Sequence, residues 1–206
     1  MQILKRLLSG LVSAAVICTV PAILIVLDTA MFGLDCRETG IVEIAQSLCL
    51  FVIAALMSIA AARIGTMRGG LVLIAGFFAT MLIREQDGIL DNVLHGSWLL
   101  PALLVTVVSL IFAWRDRTSV LPTFLHVRNN HHFPALSLGL FLLLGFSRVF
   151  GHKSIWVTVC DSANFRAAKH VAEEGAELMA YAILLYWAVT YFIDLTKEAR
   201  NENRRL

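Results

Sequence analysis

Residues 7–27 read LLSGLVSAAVICTVPAILIVL, an apolar run without a charged side chain. A helix needs about 20 such residues to cross the hydrocarbon core of a membrane. Lys5 and Arg6 precede the run, as they would in a secretory signal. Its apolar part is nevertheless longer than the roughly 7 to 15 residues of a signal, and no small-x-small cleavage site follows it. The run therefore predicts a retained transmembrane helix.

Five further runs are predominantly apolar and near the length of a membrane span. Of the 206 residues, 58% are hydrophobic and only 16% are charged, which is too apolar for a soluble domain of this size. The third run reaches full length only if its helix continues through residues 84–94, or if that stretch dips back into the membrane. The sequence predicts an all-α integral membrane protein, one polytopic domain with six transmembrane helices at about 7–27, 41–62, 69–90, 97–114, 133–150 and 174–195.

Lys and Arg residues are distributed unevenly between alternate connections of this layout. Eleven of the seventeen fall at the N-terminus, in the second and fourth connections and in the C-terminal tail, with four acidic residues beside them. The opposite side has the other six bases and eleven of the fifteen acids. Because cytoplasmic segments are enriched in Lys and Arg, both termini are predicted to be cytoplasmic. The acidic side then faces the periplasm of a bacterial inner membrane, or the lumen or exterior in another cell type.

Two cysteines lie in connections on the acidic side. Cys36 follows the first run and Cys160 precedes the last. In an oxidising compartment a disulfide between them would tie the two connections together. Two unrelated thiols are the alternative, since pairing cannot be read from a sequence.

A polar stretch after the third run places Asp87, Asp91 and His95 at i, i+4 and i+8. On a helix these three side chains share one face, and Arg84 can join the same stripe. Two carboxylates and an imidazole in register suit a divalent metal, or equally an acid/base pair. Gly88 leaves open a break that would scatter the face.

A second cluster opens the last helix. Lys169, Glu173 and Glu177 form one stripe, with His170 and Glu174 as a neighbouring pair. Acidic residues near a helix N-terminus are favoured by its dipole, so part of this pattern needs no function. Glu177 is followed at once by apolar residues, and a carboxylate at that depth should face a partner or water.

Other helices contribute ionisable or polar groups on the same side. We predict that they meet in one polar pocket, since such groups within membrane helices normally face the bundle interior. The predicted catalytic residues are Asp87, Asp91, His95, His152, Glu173 and Glu177. The predicted substrate-binding residues are Arg84, Arg148, Lys169, Glu43 and Gln46. A divalent metal, with zinc as the first candidate, would be held by Asp91, His95, His152 and Glu177. A structural network, of Arg84 with Glu177 or Arg148 with Glu173, is the alternative use of these residues.

The pocket predicts a membrane enzyme that hydrolyses, or transfers a group on, a lipid or lipid-linked substrate in the outer leaflet. Membrane lipids are the expected partners and no nucleic acid is expected. The alternatives are a proton- or ion-coupled carrier, and a non-catalytic subunit or sensor whose acidic external pocket binds a cation or a partner. Transport needs an exit, and the cytoplasmic half of the helices has no comparable set of ionisable groups.

The cytoplasmic connection 115–132 contains His126, His131 and His132. A His-His pair can bind metal, but a solvated basic loop at the lipid headgroups is the more common explanation. We therefore expect no catalytic role for these histidines.

Overall fold

The structure is a computed structural model that describes residues 2–32, 40–91, 96–160 and 165–204. Within these ranges the chain is helical, with short turns and no strand, so the all-helical prediction is confirmed. The helices are α1 (Gln2–Phe32), α2 (Ile41–Arg63), α3 (Arg68–Glu85), α4 (Asp87–Asp91), α5 (Leu99–Arg115), α6 (Arg117–Asn129), α7 (Phe133–Phe141), α8 (Ser147–Phe150), α9 (Lys153–Val159) and α10 (Phe165–Asn203). A 3-10 turn, Gly65–Met67, precedes α3, and a π-helical turn, Leu142–Phe146, joins α7 to α8.

Among the described residues, five stretches of helix are long and apolar enough to cross a membrane. They are Leu7–Met31, Ile41–Arg63, Gly65–Glu85, Phe133–Phe150 and Phe165–Asn201. A sixth is obtained if α5 and α6, which are bent by 102° at their junction, count as one span. Apolar side chains also remain exposed on these helices, most of all on α1, where only 6% of the apolar window is buried. The described part of the chain is therefore all-helical, with five or six helices that could span a membrane.

The third candidate span ends at Glu85, and the polar stretch after it is a separate short helix. The break lies at Gln86, whose backbone N–H bonds to the carbonyl of Ile83 at 3.2 Å. Its side chain donates to Ser47 Oγ at 2.6 Å. A tertiary contact of Gln86, rather than the glycine two positions later, therefore accompanies the end of α3.

The connection 115–132, expected to be a solvated loop, is helical over α6. Ser119, in the first turn of α6, donates at 2.9 Å to the carboxylate of Asp116, the residue just before the helix. The backbone N–H of Gly69 donates to Ser119 Oγ at 2.8 Å, which holds the start of α6 against α3. At Gly70 any side chain would overlap Thr123. Small residues of this kind let helices approach closely.

The chain divides into two compact units. Unit 1 comprises the described residues of Met1–Gln46 and Leu138–Ile183, and unit 2 those of Ser47–Ser137 and Leu184–Leu206. In unit 2, Trp187 is fully buried, stacks on Tyr191 with ring centroids 5.4 Å apart and lies 6.3 Å from the ring of Phe78. These aromatic rings fill the core of unit 2.

Candidate functional site

Four charged side chains of unit 1 form one connected set, here called the Arg148 cluster: Arg148, Lys169, Glu173 and Glu177. Arg148 donates to Glu177 and lies 3.8 Å from Glu173 Oε1. Lys169 Nζ lies 3.1 Å from Glu173 Oε2. The α10 members share one face because they are four residues apart. The stripe predicted on the last helix is therefore joined to the end of the fifth predicted span.

Burial is unequal across the Arg148–Glu177 pair. The Glu177 side chain is 7% exposed, whereas that of Arg148 is 45% exposed. A charged carboxylate at the centre of a membrane helix costs on the order of 2.5 to 3.5 kcal/mol without a partner. Arg148 supplies that partner and keeps part of its guanidinium accessible. The guanidinium has five N–H donors, more than one carboxylate can use.

Local backbone features bring Arg148 and Glu173 together. The π-helical turn Leu142–Phe146 ends directly before α8, which contains Arg148. Turns of this type are uncommon in proteins, and many of those that occur lie at functional sites. One residue after α8, a side chain at Gly151 would overlap the carboxylate of Glu173. Glycine at this position therefore leaves the space that Glu173 occupies.

Gln46 extends the polar groups of unit 1 onto α2. It is fully buried, and its Nε2 donates to Glu174 Oε2 at 2.8 Å and to the Glu174 carbonyl at 3.3 Å. Its Oε1 is buried without a hydrogen-bond partner in the described part of the chain. Buried acceptors are normally paired, so this oxygen is suited to a donor from a ligand or water. Glu43 lies one turn earlier on α2 and is half-buried.

Asp28 has a structural explanation. Its Oδ1 accepts a 2.5 Å hydrogen bond from the backbone N–H of Ile41, the first residue of α2. A carboxylate that caps a helix N-terminus satisfies an orphan donor and complements the helix dipole. Asp28 therefore joins α1 to the start of α2.

His152, predicted as a catalytic and metal-binding residue, is exposed at the N-terminus of α9. Its Nδ1 shares a 2.7 Å hydrogen bond with Ser154 Oγ. Cys160 follows α9, but Cys36 lies outside the described residues. The disulfide therefore remains a prediction.

The described residues of the predicted stripe of Asp87, Asp91 and His95 fall in unit 2. Asp87 is exposed, and its Oδ1 accepts from the N–H of the next residue at 2.7 Å. Arg84 is exposed near the end of α3, so the turn at Gln86 separates it from α4. Asp91 ends α4, whereas its side chain and all of His95 lie outside the described residues. Their predicted roles therefore remain predictions.

A second polar set lies in unit 2 and includes two histidines for which no catalytic role was expected. His131 Nδ1 and His132 Nε2 each lie 3.8 Å from Asp194 Oδ2, and the two imidazole centroids are 3.8 Å apart. Burial lowers the pKa of His132 below its ordinary value, and His131 adds to this shift while Asp194 opposes it. The His-His pair was visible in the sequence, but Asp194 was counted only as a tail charge. No signal in the sequence joins residues so far apart.

The neighbouring histidine has a different set of partners. His126 Nδ1 lies 3.0 Å from the hydroxyl of Tyr191, and its Nε2 lies 3.0 Å from Glu198 Oε2. A cleft of about 470 Å³ opens between the end of α6 and the last turns of α10. It is lined by His126, Asn129, Asn130, His131, Asp194, Lys197 and Glu198.

No family model, curated protein or solved structure matches this chain.

Proposed function

We propose that this chain is an integral membrane enzyme that binds the polar headgroup of a lipid or lipid-linked substrate at the Arg148 cluster, and hydrolyses it or transfers a group from it. The observation that carries the proposal is the graded burial of the Arg148–Glu177 pair. The carboxylate is 7% exposed and the cation 45% exposed. A cation anchored in this way can bind a headgroup while its buried partner fixes its position.

The cations of the cluster supply the binding chemistry. Side-chain exposure is 45% for Arg148 and 31% for Lys169, so both can be reached from outside the protein. A guanidinium binds planar carboxylate or phosphate oxygens through parallel N–H bonds, and an ammonium adds a point charge. Together they suit a phosphate or ester oxygen that gains negative charge during the reaction.

Glu173 is the general acid–base group of the proposal because of its position. Its carboxylate lies 3.1 Å from Lys169 and 3.8 Å from Arg148, next to the headgroup that these cations would bind. Water attacks the acyl or phosphoryl centre of the headgroup, and the water oxygen forms the new bond. Its proton passes to Glu173, which then returns it to the oxygen of the leaving group as the old bond breaks. In a transfer reaction, the hydroxyl of an acceptor replaces the water.

The proposal includes an orientation. Both termini lie in the cytoplasm of a bacterial cell, and the Arg148 cluster lies in the outer leaflet of the inner membrane. The excess of Lys and Arg in the terminal segments and in alternate connections supports this arrangement. Six crossings are required, and the bent pair of α5 and α6 supplies the sixth.

A second candidate function is a non-catalytic subunit or carrier in which the cluster binds a proton, a cation or a partner. One observation favours it: Lys169, Glu173, Arg148 and Glu177 already form a continuous chain of ion pairs. Such a chain can also be purely structural. Binding and turnover must therefore be measured separately.

The test uses full-length protein purified with its bound lipids and then reconstituted with phospholipids of defined headgroup. Mass spectrometry measures both the retained lipid and the reaction products. We expect enrichment and turnover of one headgroup class by the wild type. Arg148→Gln should lose the enrichment. Glu173→Gln should keep it but lose turnover by about 100-fold or more, the usual contribution of general acid–base catalysis.

Arg166→Gln is the matched control, because Arg166 is an exposed cation of α10 outside the cluster. It should leave binding and turnover unchanged. Enrichment without turnover in every protein would favour the second candidate. Equal lipid profiles and equal turnover in the wild type and all variants would refute a role for the cluster in either.

A further inference from the structure

We propose that unit 2 contains a divalent transition-metal site formed by His131 and His132, in the connection between α6 and α7, and Asp194 of α10. The site is independent of the lipid chemistry proposed for unit 1. Two imidazoles and one carboxylate are a recurrent protein ligand set for zinc and for iron(II). Zinc is the ion that we propose as the first ligand to test.

The distances are compatible with closure around an ion. One ligand atom from each of the three residues lies within 4.8 Å of the other two. Metal–ligand bonds of about 2.0 to 2.2 Å in a tetrahedral site place two ligand atoms about 3.3 Å apart. The two contacts to Asp194 Oδ2 measure 3.8 Å, so each must contract by only about 0.5 Å. Small side-chain rotations can supply that change.

The carboxylate ligand is held in place by a neighbour. Asn130 Nδ2 donates to Asp194 Oδ2 at 3.3 Å, and Asn130 Oδ1 accepts from the backbone N–H of His132 at 2.9 Å. One amide therefore supports both the α10 ligand and the chain that presents the histidines. Hydrogen bonds of this kind orient metal ligands and are part of established metal sites.

His132 does not behave as a residue of a solvated loop. Its side chain is 18% exposed, and its ring packs edge-on against Tyr186 with centroids 5.8 Å apart. Its neighbour His131 is 73% exposed and lines the cleft beside the site. The pair therefore combines one positioned ligand with one that can move towards an ion.

Three protein ligands leave at least one coordination position open. The cleft of about 470 Å³ borders the site and has room for water or a small ligand at that position. His126 lies in the same cleft, but Tyr191 and Glu198 already occupy its two ring nitrogens. We therefore assign His126 to the wall of the cleft and not to the ligand set.

The experiment measures zinc binding to the full chain, purified with a tag that contains no histidine. Elemental analysis after dialysis gives the stoichiometry, and competition with a chromophoric chelator gives the affinity. We expect one equivalent in the wild type. His131→Ala and Asp194→Asn should weaken binding by more than the roughly 10- to 100-fold that follows loss of a supporting hydrogen bond. Neither change should prevent folding, because His131 is exposed and asparagine matches the shape of aspartate.

His152→Ala is the control for an exposed histidine elsewhere, and Glu177→Gln the control for the metal site predicted from the sequence. Both should bind zinc as the wild type does. Helical circular dichroism and gel filtration on every variant identify losses that are due to unfolding. The proposal is overturned if the wild type binds no zinc, if His131→Ala and Asp194→Asn bind it normally, or if Glu177→Gln is the variant that loses it.

Discussion

Arg148→Met tests whether Glu177 is a buried carboxylate that depends on its cation. Methionine keeps an unbranched apolar stem and removes the charge. Because the side chain of Glu177 is 7% exposed and that of Arg148 is 45% exposed, the substitution would leave a buried carboxylate without its guanidinium partner. The expected destabilisation therefore comes from the ion pair that this buried carboxylate loses.

The magnitude follows from this geometry. Removing one partner of a buried ion pair lowers the free energy of unfolding by about 3 to 5 kcal/mol, and the half-exposed guanidinium places Arg148→Met at the lower end. Lys169→Met is the matched control, since it removes a cation from an i,i+4 pair with Glu173 whose side chains are 31% and 18% exposed. Pairs of that kind contribute about 0.3 to 0.5 kcal/mol. The loss in free energy of unfolding should therefore be several times larger for Arg148→Met than for Lys169→Met.

Unfolding in detergent micelles, followed by circular dichroism, measures both variants. Arg148→Met/Glu177→Met removes both charges and should return stability to the wild-type value or above it. Lipid enrichment by the double variant then distinguishes a structural role of the pair from headgroup binding. A structural pair predicts that stability and lipid enrichment recover together, whereas a headgroup site predicts that only stability recovers. Equal losses in Arg148→Met and Lys169→Met would refute the dependence of Glu177 on its cation.

Three further predictions concern packing, metal binding and pH. Gly70→Ala should lower the free energy of unfolding by about 1 to 3 kcal/mol because its Cβ overlaps Thr123, whereas Gly10→Ala, in open space, should not; chemical denaturation measures both. Asn130→Ala should weaken zinc binding by about 10- to 100-fold in chelator competition, and unchanged affinity would argue against its supporting role. Acidification from about pH 7.5 to about pH 5.5 should lower the thermal midpoint of the metal-free protein, because the lowered pKa of His132 makes the unfolded state bind more protons. His132→Gln should reduce this dependence of the thermal midpoint on pH.

The sequence predicted the class of the fold because long apolar runs admit few structures in a membrane. Two of the predicted starts, residues 41 and 133, coincide with the first residues of α2 and α7. The boundaries of other runs were less informative, since helices continue into charged residues with good helix propensity. Thus α10 begins at Phe165 and extends to Asn203, well beyond the predicted apolar span.

The sequence did not predict the break after α3 or the helix α6, because tertiary contacts accompany both. The end of α3 at Gln86 is held by a hydrogen bond to Ser47, a residue of α2. The polar stretch before α7 reads as a loop, yet α6 forms there and packs through Ser119 and Thr123. Charge and hydropathy locate such segments at a membrane surface but do not decide whether they are helical.

The same distinction explains which polar set was found. Lys169, Glu173 and Glu177 recur every four residues on one helix, so periodicity alone shows that they share a face. Asn130 and Asp194 are 64 residues apart, and their contact follows only from how α10 packs in unit 2. Counting charges for orientation treats Asp194 as one solvated acid in the tail, although its side chain is 23% exposed and lies beside two imidazoles. An acidic residue that contributes to the charge difference between the two sides of a membrane can therefore also be placed to bind a metal. Only its neighbours in the fold distinguish the two roles.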